Sequence, residues 1–251
     1  MSAPQRITRP ANPLIKMLKR AVARGELTAS GSMIAESLHL LEEALRSPVE
    51  IEHVLVSASA AHRLPAGVEA IELDDRLFDE ISSTEASQGV ITLVRPRQWQ
   101  AADLLKPDPL IIVLDGLQDP GNAGAILRAA EAFGATGAVF LKGTVSAYNP
   151  KAVRASAGSI FRLPYFAALA TNEFLDLKIP LYAAMPRASL LASAADLRSA
   201  CAIAIGNEGR GVSAEIKAAA QPIAIPTMGV ESLNAAVAAG ILLYEARRQR
   251  M

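Results

Sequence analysis

Residues 110–141 read LIIVLDGLQDPGNAGAILRAAEAFGATGAVFL, and this stretch decides the fold class. It opens on a solid apolar run, Leu110 to Asp115, and closes on another, Gly137 to Leu141. Runs without the polar alternation of a half-solvated strand belong to strands covered on both faces. Between them Ala125, Ile126, Ala129, Ala130 and Phe133 form the packing surface of a helix. Strand, helix and strand in so short a span make a crossover unit whose strands lie parallel. The pattern repeats in IPLYAA (179–184), CAIAI (201–205) and PIAI (222–225), with helical stretches between. The expectation is an α/β domain, a mostly parallel sheet wrapped by helices. Ligands in such folds sit at the carboxyl ends of the strands, and the Gly/Asn-rich loops fall just there.

The N-terminal half has a different grain. Leu14, Met17, Leu18 and Val22 make one face of a helix over residues 12–24, with Lys16, Lys19 and Arg20 opposite and Gly25 as its stop. A short apolar run at Met33-Ile34 precedes an amphipathic helix through Leu38, Leu41 and Leu45, and IEHVLVS (51–57) reads as a strand. Helix, strand, helix and strand follow at 58–61, 68–73, 76–81 and 89–94. Residues 1–97 thus read as a smaller α/β/α domain, the proline-punctuated residues 98–108 as a linker, and 109–251 as the parallel-sheet domain.

Composition narrows the class. The chain has 251 residues, 51% hydrophobic and 20% charged, so a well-buried globular protein is expected. No apolar run is long enough for a membrane span, and the N-terminus lacks the apolar core of a signal peptide, so a cytoplasmic location is expected. A single cysteine, Cys201, allows no internal disulfide, and His39, His53 and His62 lack metal-ligand spacing; no metal is expected. The net charge is zero, but residues 1–24 carry Arg6, Arg9, Lys16, Lys19, Arg20 and Arg24 without an acid, and Arg247, Arg248 and Arg250 lie near the other end. These clusters fit either solvated helix faces or phosphate-contacting patches, and charge alone leaves both open.

Three loops carry chemistry. In residues 115–134, Asn122 is placed as a helix N-cap, and Gly124 and Arg128, four apart, share a helix face with space beside the guanidinium. In AIGNEGRGVSAEI (204–216), Gly206 and its neighbours put Glu208 at the end of a core strand, where a plain turn needs no carboxylate. The dinucleotide fingerprint and the lysine of a phosphate-binding loop are both absent. The third is IPTMGVESLNAAVAAGILLYEARRQRM (225–251): a Pro/Gly loop, then a helix expected from an N-cap at Ser232. Leu233, Val237, Ile241 and Tyr244 form one apolar stripe of that helix, and Ala236, Gly240 and Leu243 a second, so it needs cover on two faces. Ser232 and Asn234 are polar groups at its start.

In that order, Asn122–Gly124–Arg128, Gly206-Asn207-Glu208-Gly209 and Ile225-Pro226 with Ser232-Leu233-Asn234 resemble the three motifs of the TrmH (SpoU) branch of the SPOUT RNA methyltransferases. NPKAVRASAGSIFRLPYF (149–166) and the N-terminal RITRPANPLIKMLKR are similar to the same family, so the resemblance covers nearly the whole chain. It departs at Ser37, where relatives more often carry glycine. The resemblance implies transfer of a methyl group from S-adenosylmethionine to a ribose 2′-hydroxyl in structured RNA, 23S ribosomal RNA before transfer RNA. It also implies a C-terminal trefoil knot and a homodimer through the last helix. By the same resemblance Arg128, Asn122, Glu208, Ser232 and Asn234 would be catalytic, and Gly206, Ile225, Met228 and Leu233 would contact the cofactor. Arg6, Arg9, Lys16, Lys19 and Arg20 become an expected RNA contact. The rival expectation is an RNA-binding assembly factor that keeps the fold without catalysis.

Overall fold

A computed structural model describes residues 6–84 and 86–251. The chain forms two compact units, residues 1–98 with 148–162, and residues 99–147 with 163–251.

In the first unit the chain runs β1 (Arg6–Ile7), α1 (Pro13–Arg24), β2 (Met33–Glu36), α2 (Leu38–Arg46), β3 (Glu50–Ser57), β4 (Ile71–Leu73), α3 (Asp75–Asp79) and β5 (Val90–Arg95). The strands join in one sheet, ordered β1-β4-β3-β5-β2; β1, β4 and β3 are parallel, and β5 is antiparallel to both β3 and β2. One face is packed by Ile15, Leu18 and Ala21 of α1 with Leu77 and Phe78 of α3, the other by Leu41 of α2 with Val54, Val56 and Val90. The expected α/β/α layering is therefore present. Asn12 caps α1 through Leu14 N–H, and Gly25 closes it in the left-handed conformation.

Glu36 ends β2 as a buried carboxylate, and the loop after α3 supplies its partners. Ser82 and Ser87 Oγ donate to it at 2.5 and 3.0 Å, and Ser83 N–H at 2.7 Å. Next to it Ser37 sits at φ 156° and ψ 161°, a region that side chains resist and glycine enters freely. The segment 148–162 packs on this unit through α6 (Pro150–Ala155), with Arg154 donating to Ser83 Oγ and Arg162 to Glu43 at 2.6 Å.

The second unit adds, in chain order, α4 (Ala101–Leu104), β6 (Leu110–Asp115), α5 (Pro120–Ala132), β7 (Gly137–Leu141), β8 (Tyr165–Leu169), α7 (Thr171–Leu175), β9 (Leu181–Ala184), β10 (Leu190–Leu191), β11 (Cys201–Gly206), α8 (Ala214–Ala219), β12 (Gln221–Ala224) and α9 (Ala235–Gln249). All its strand pairings are parallel, in the order β10-β12-β9-β11-β6-β7-β8. Leu104, Phe174 and Ile216, from α4, α7 and α8, cover one face. α5 and α9 pack together on the other, burying Ile126, Leu127 and Ala130 with Ala239, Leu242, Leu243 and Ala246. The sequence passed over β8 and β10. β10 is two residues long, and β8 is a short edge strand with two exposed alanines, so neither shows the solid apolar run of a central strand. Residues 98–108, read as a linker, hold α4, whose Leu104 is fully buried.

Candidate active site

The site grows from the carboxyl ends of β6, β11 and β12. After β6 the chain turns through Gly116 into α5. Pro120 has no N–H to offer and a fixed φ, so it takes the first helical position, and Asp119 becomes the cap: its Oδ1 accepts Asn122 N–H at 2.7 Å. The cap therefore lies at Asp119 and not, as the sequence suggested, at Asn122. The Asp-Pro pair was the overlooked signal. This correction frees the Asn122 amide to reach outward. Its Nδ2 donates to Glu208 Oε1 at 3.0 Å, and its Oδ1 accepts from Asn234 Nδ2 at 3.1 Å.

The last helix is corrected the same way. It starts at Ala235 with Asn234 as cap, not at Ser232: Asn234 Oδ1 accepts the N–H groups of Ala236 and Val237 at 2.9 and 3.2 Å. An asparagine can cap with its oxygen and still donate from its nitrogen, which an ionised aspartate could not do for Asn122. Ser232 lies upstream in the loop, exposed, with no hydrogen bond to the described residues.

At the end of β11, Gly206 has no room for a side chain. A Cβ there would stand 2.2 Å from Gly211 C and Val212 N. Asn207 exchanges both backbone hydrogen bonds with Gly211, at 2.9 and 2.8 Å, closing a tight loop with exposed Glu208 near its start. The structure thus unites Asn122, Glu208 and Asn234, from three separate segments, in one hydrogen-bonded chain. Asn207, which the motif reading left out of the site, proves central to it; an asparagine between a buried strand and a Gly-x-Gly was the available signal.

Arg128 is on the exposed face of α5, about 9 Å along the axis from Asn122. No ion pair or hydrogen bond engages it among the described residues, so within one chain it does not touch the other polar site residues. Its neighbours one turn away along the helix are Gly124, Ala125, Glu131 and Ala132.

Of the expected cofactor contacts, Gly206, Ile225 and Leu233 are half-buried, while Met228 stands 95% exposed at the loop tip. No backbone–backbone hydrogen bond involves residues 226–233 among those described. Thr227 Oγ1 donating to Val230 O at 3.2 Å, and the solvated Arg187–Glu231 pair at 3.3 Å, are the loop's polar ties. Its main-chain donors and acceptors are therefore available to a ligand.

The outward stripe of α9 is also open. Val237, Ile241 and Tyr244 are 50, 40 and 53% exposed, and Tyr244 stacks edge-on against Phe133, 5.8 Å between ring centres. Two of the three arginines beyond it, Arg248 and Arg250, are engaged within the fold, and Arg247 is exposed. Arg250 donates to the carbonyls of Leu197, Asp108 and Ser199 at 2.6–2.7 Å, and Arg248 grips Glu245 with two hydrogen bonds. The Arg248 hydrogen bonds, helped by Gln249, hold the Glu245 carboxyl at about 2. Burial pushes the Cys201 thiol up, against the pull of Arg250.

In the first unit, Arg6 is paired with Asp74 at 2.7 Å and with Glu72, and Lys19 with Glu80. Arg9, Lys16, Arg20 and Arg24 are exposed and have no ion pair among the described residues. No helix is long and apolar enough to cross a membrane, and no metal-ligand cluster occurs among the described residues.

The model of the SpoU rRNA methylase family matches residues 109–244, and that of the MRM3-like substrate binding domain matches residues 12–92. A 23S rRNA (guanosine(2553)-2′-O)-methyltransferase of Bacillus subtilis, RlmP, is 30% identical over 94% of this chain and 96% of its own. The crystal structure of an RNA 2′-O ribose methyltransferase superposes with a TM-score of 0.82 at 36% identity, covering 98% of this chain and 99% of that one. The SpoU methyltransferase AviRb of Streptomyces viridochromogenes, solved with its cofactor AdoMet, gives 0.85 at 26% identity over 95% and 98%. Family model, full-length relative and shared fold agree with the three strand-end motifs, and the chain belongs to the SpoU rRNA methylase family.

Proposed function

We propose that the chain methylates a ribose 2′-hydroxyl of ribosomal RNA, with S-adenosylmethionine as methyl donor. The observation that carries this reading is the Glu208–Asn122–Asn234 hydrogen-bonded chain, built from the segments that follow β11, β6 and β12, with unpaired Arg128 on the same helix as Asn122. The cofactor fits the residues present. The backbone of 226–233, free of main-chain hydrogen bonds among the described residues, offers the donors and acceptors that an adenine and an amino-acid moiety require. Gly206, Ile225 and Leu233 would hold it, with Met228 folding over it from the loop tip. Its sulfonium supplies an activated methyl group that needs no metal.

The chain's own part is to orient the nucleophile. A guanidinium is a donor with no acceptor capacity, so Arg128 stabilises the alkoxide that develops on the 2′-oxygen and holds the adjacent phosphate. Glu208 has one oxygen engaged by Asn122, leaving the other to accept from the ribose. Asn234 and Ser232 complete the polar rim, and the gain is one of orientation.

The reading includes a homodimer. The exposed stripe Val237, Ile241 and Tyr244 is an apolar face that a second copy would cover. It also includes a trefoil knot formed by the 225–234 loop, and a cytoplasmic location. RNA would be gripped in the first unit by Arg9, Lys16, Arg20 and Arg24. Arg6 and Lys19, already paired to acids, contribute less. Binding should therefore weaken steeply with salt.

Arg128→Ala tests the assignment, with cofactor affinity and methyl transfer measured separately. Lost turnover with cofactor binding retained is expected. Turnover near the wild-type rate would sink the catalytic role of Arg128. Sedimentation of a stable monomer at micromolar concentration would sink the dimer.

A further inference from the structure

We propose that Asn207 is a positioning residue for methyl transfer, setting the aim of Glu208. The proposal rests on the methyl-transfer function given above. Glu208 is an exposed, flexible side chain, and an exposed glutamate reaches one partner reproducibly only if its backbone is fixed. Asn207 fixes it with its whole side chain. Oδ1 accepts the N–H groups of Gly209 and Arg210, both at 3.0 Å, folding the loop around Glu208 in an Asx-type turn. Nδ2 donates to Gly116 O at 3.0 Å, in the loop that leads from β6 to Asn122. Gly116 is itself anchored, because its N–H donates to Thr144 Oγ1 at 2.9 Å and that hydroxyl donates to Leu114 O at 2.8 Å.

The two halves of the Asn207 amide therefore do different work. The oxygen shapes the turn that carries Glu208. The nitrogen ties that turn to the loop carrying its partner, Asn122, so that the 3.0 Å contact between Glu208 and Asn122 closes across two strand ends. A plain turn would need the oxygen alone.

The test is a double-mutant cycle in the full chain, with tritiated S-adenosylmethionine and total RNA from a strain deleted for the gene. Asn207→Ala should lower kcat about tenfold to a hundredfold, the scale of an ångström-sized misplacement. KM for either substrate should move less than about threefold. In a Glu208→Gln background the same change should cost less than about threefold, since residues acting through one another are not additive. Asn207→Asp keeps the acceptor and loses the donor to Gly116 O; it should still fold, with a melting temperature lowered by a few degrees, yet lose turnover, and it carries the cycle if the alanine variant does not fold. Additive losses in the cycle, or an Asn207→Asp enzyme with wild-type kcat, would overturn the proposal while leaving the function intact. A wild-type protein that labels no RNA would overturn both.

Discussion

Gly206→Ala is the substitution whose effect the structure specifies most sharply. The added methyl carbon would lie 2.2 Å from Gly211 C and Val212 N and 2.5 Å from Gly211 O. All three are backbone atoms, so no rotamer change relieves the clash. Restoring an ordinary separation of about 3.5 Å means moving the two segments apart by about 1.3 Å. That breaks the reciprocal Asn207–Gly211 bonds, at 2.9 and 2.8 Å, for about 1 kcal/mol each, on top of about 1–3 kcal/mol for overpacking. Setting against this about 0.4–1 kcal/mol gained by stiffening the unfolded chain leaves a loss of about 2–4.6 kcal/mol. For a chain of this size that lowers the melting temperature by about 4–18 °C. The same loop supplies two controls. A Cβ at Gly209 meets only Asn207 Oδ1, at 3.7 Å, so Gly209→Ala should stay within about 0.5 kcal/mol of wild type. Gly211 has open space but φ +70°, so Gly211→Ala should cost about 1–2 kcal/mol from backbone strain alone. Calorimetric melting of the three variants, with cofactor titration, is the assay. A Gly206→Ala protein as stable as Gly209→Ala, or binding cofactor like wild type, would refute the reasoning.

Three further outcomes follow from single residues. Ser37→Gly should raise stability by about 0.5–1.5 kcal/mol in a melting experiment: relief of about 1–3 kcal/mol at φ 156° exceeds the loss of a serine cap and the added chain entropy. Arg250→Met should cost about 2–3 kcal/mol in urea unfolding, because it strands the carbonyls of Leu197, Asp108 and Ser199, which now share one guanidinium. Glu245 has its pKa depressed from 4.5 to about 2, so its contribution is present above about pH 4.5 and is lost as pH falls toward 2; Glu245→Gln should flatten the acid limb of the stability–pH profile in that window.

The parallel-sheet architecture was legible because β6, β7 and β11 are buried on both faces and spell solid apolar runs. The two-faced character of α9 was legible too, but not which stripe does what. Ala239, Leu242, Leu243 and Ala246 face the sheet and α5, while Val237, Ile241 and Tyr244 point outward; small alanines in a close helix contact carry little hydropathy signal. Both helix starts were misplaced, Asn122 being set too late for α5 and Ser232 too early for α9, because several side chains in each loop could cap and only the folded backbone selects one. Asn207 was passed over because its Asx-type bonds to Gly209 and Arg210 look like an ordinary turn, while its partner Gly116 is brought to it only by the fold. The packing of residues 148–162 on the N-terminal unit has no local pattern to announce it. The arginine tail was ambiguous as sequence, and its carbonyl partners lie across the fold.

The most direct test of methyl transfer to a ribose hydroxyl uses the purified chain, methyl-tritiated S-adenosylmethionine and ribosomal RNA from a deletion strain, followed by alkaline hydrolysis. A 2′-O-methyl group removes the neighbouring nucleophile that alkali needs to cleave the chain. The label should therefore appear in alkali-stable dinucleotides, and should be lost with Arg128→Ala. Label released in mononucleotides, as a base methylation would give, or no label in RNA at all, would contradict it.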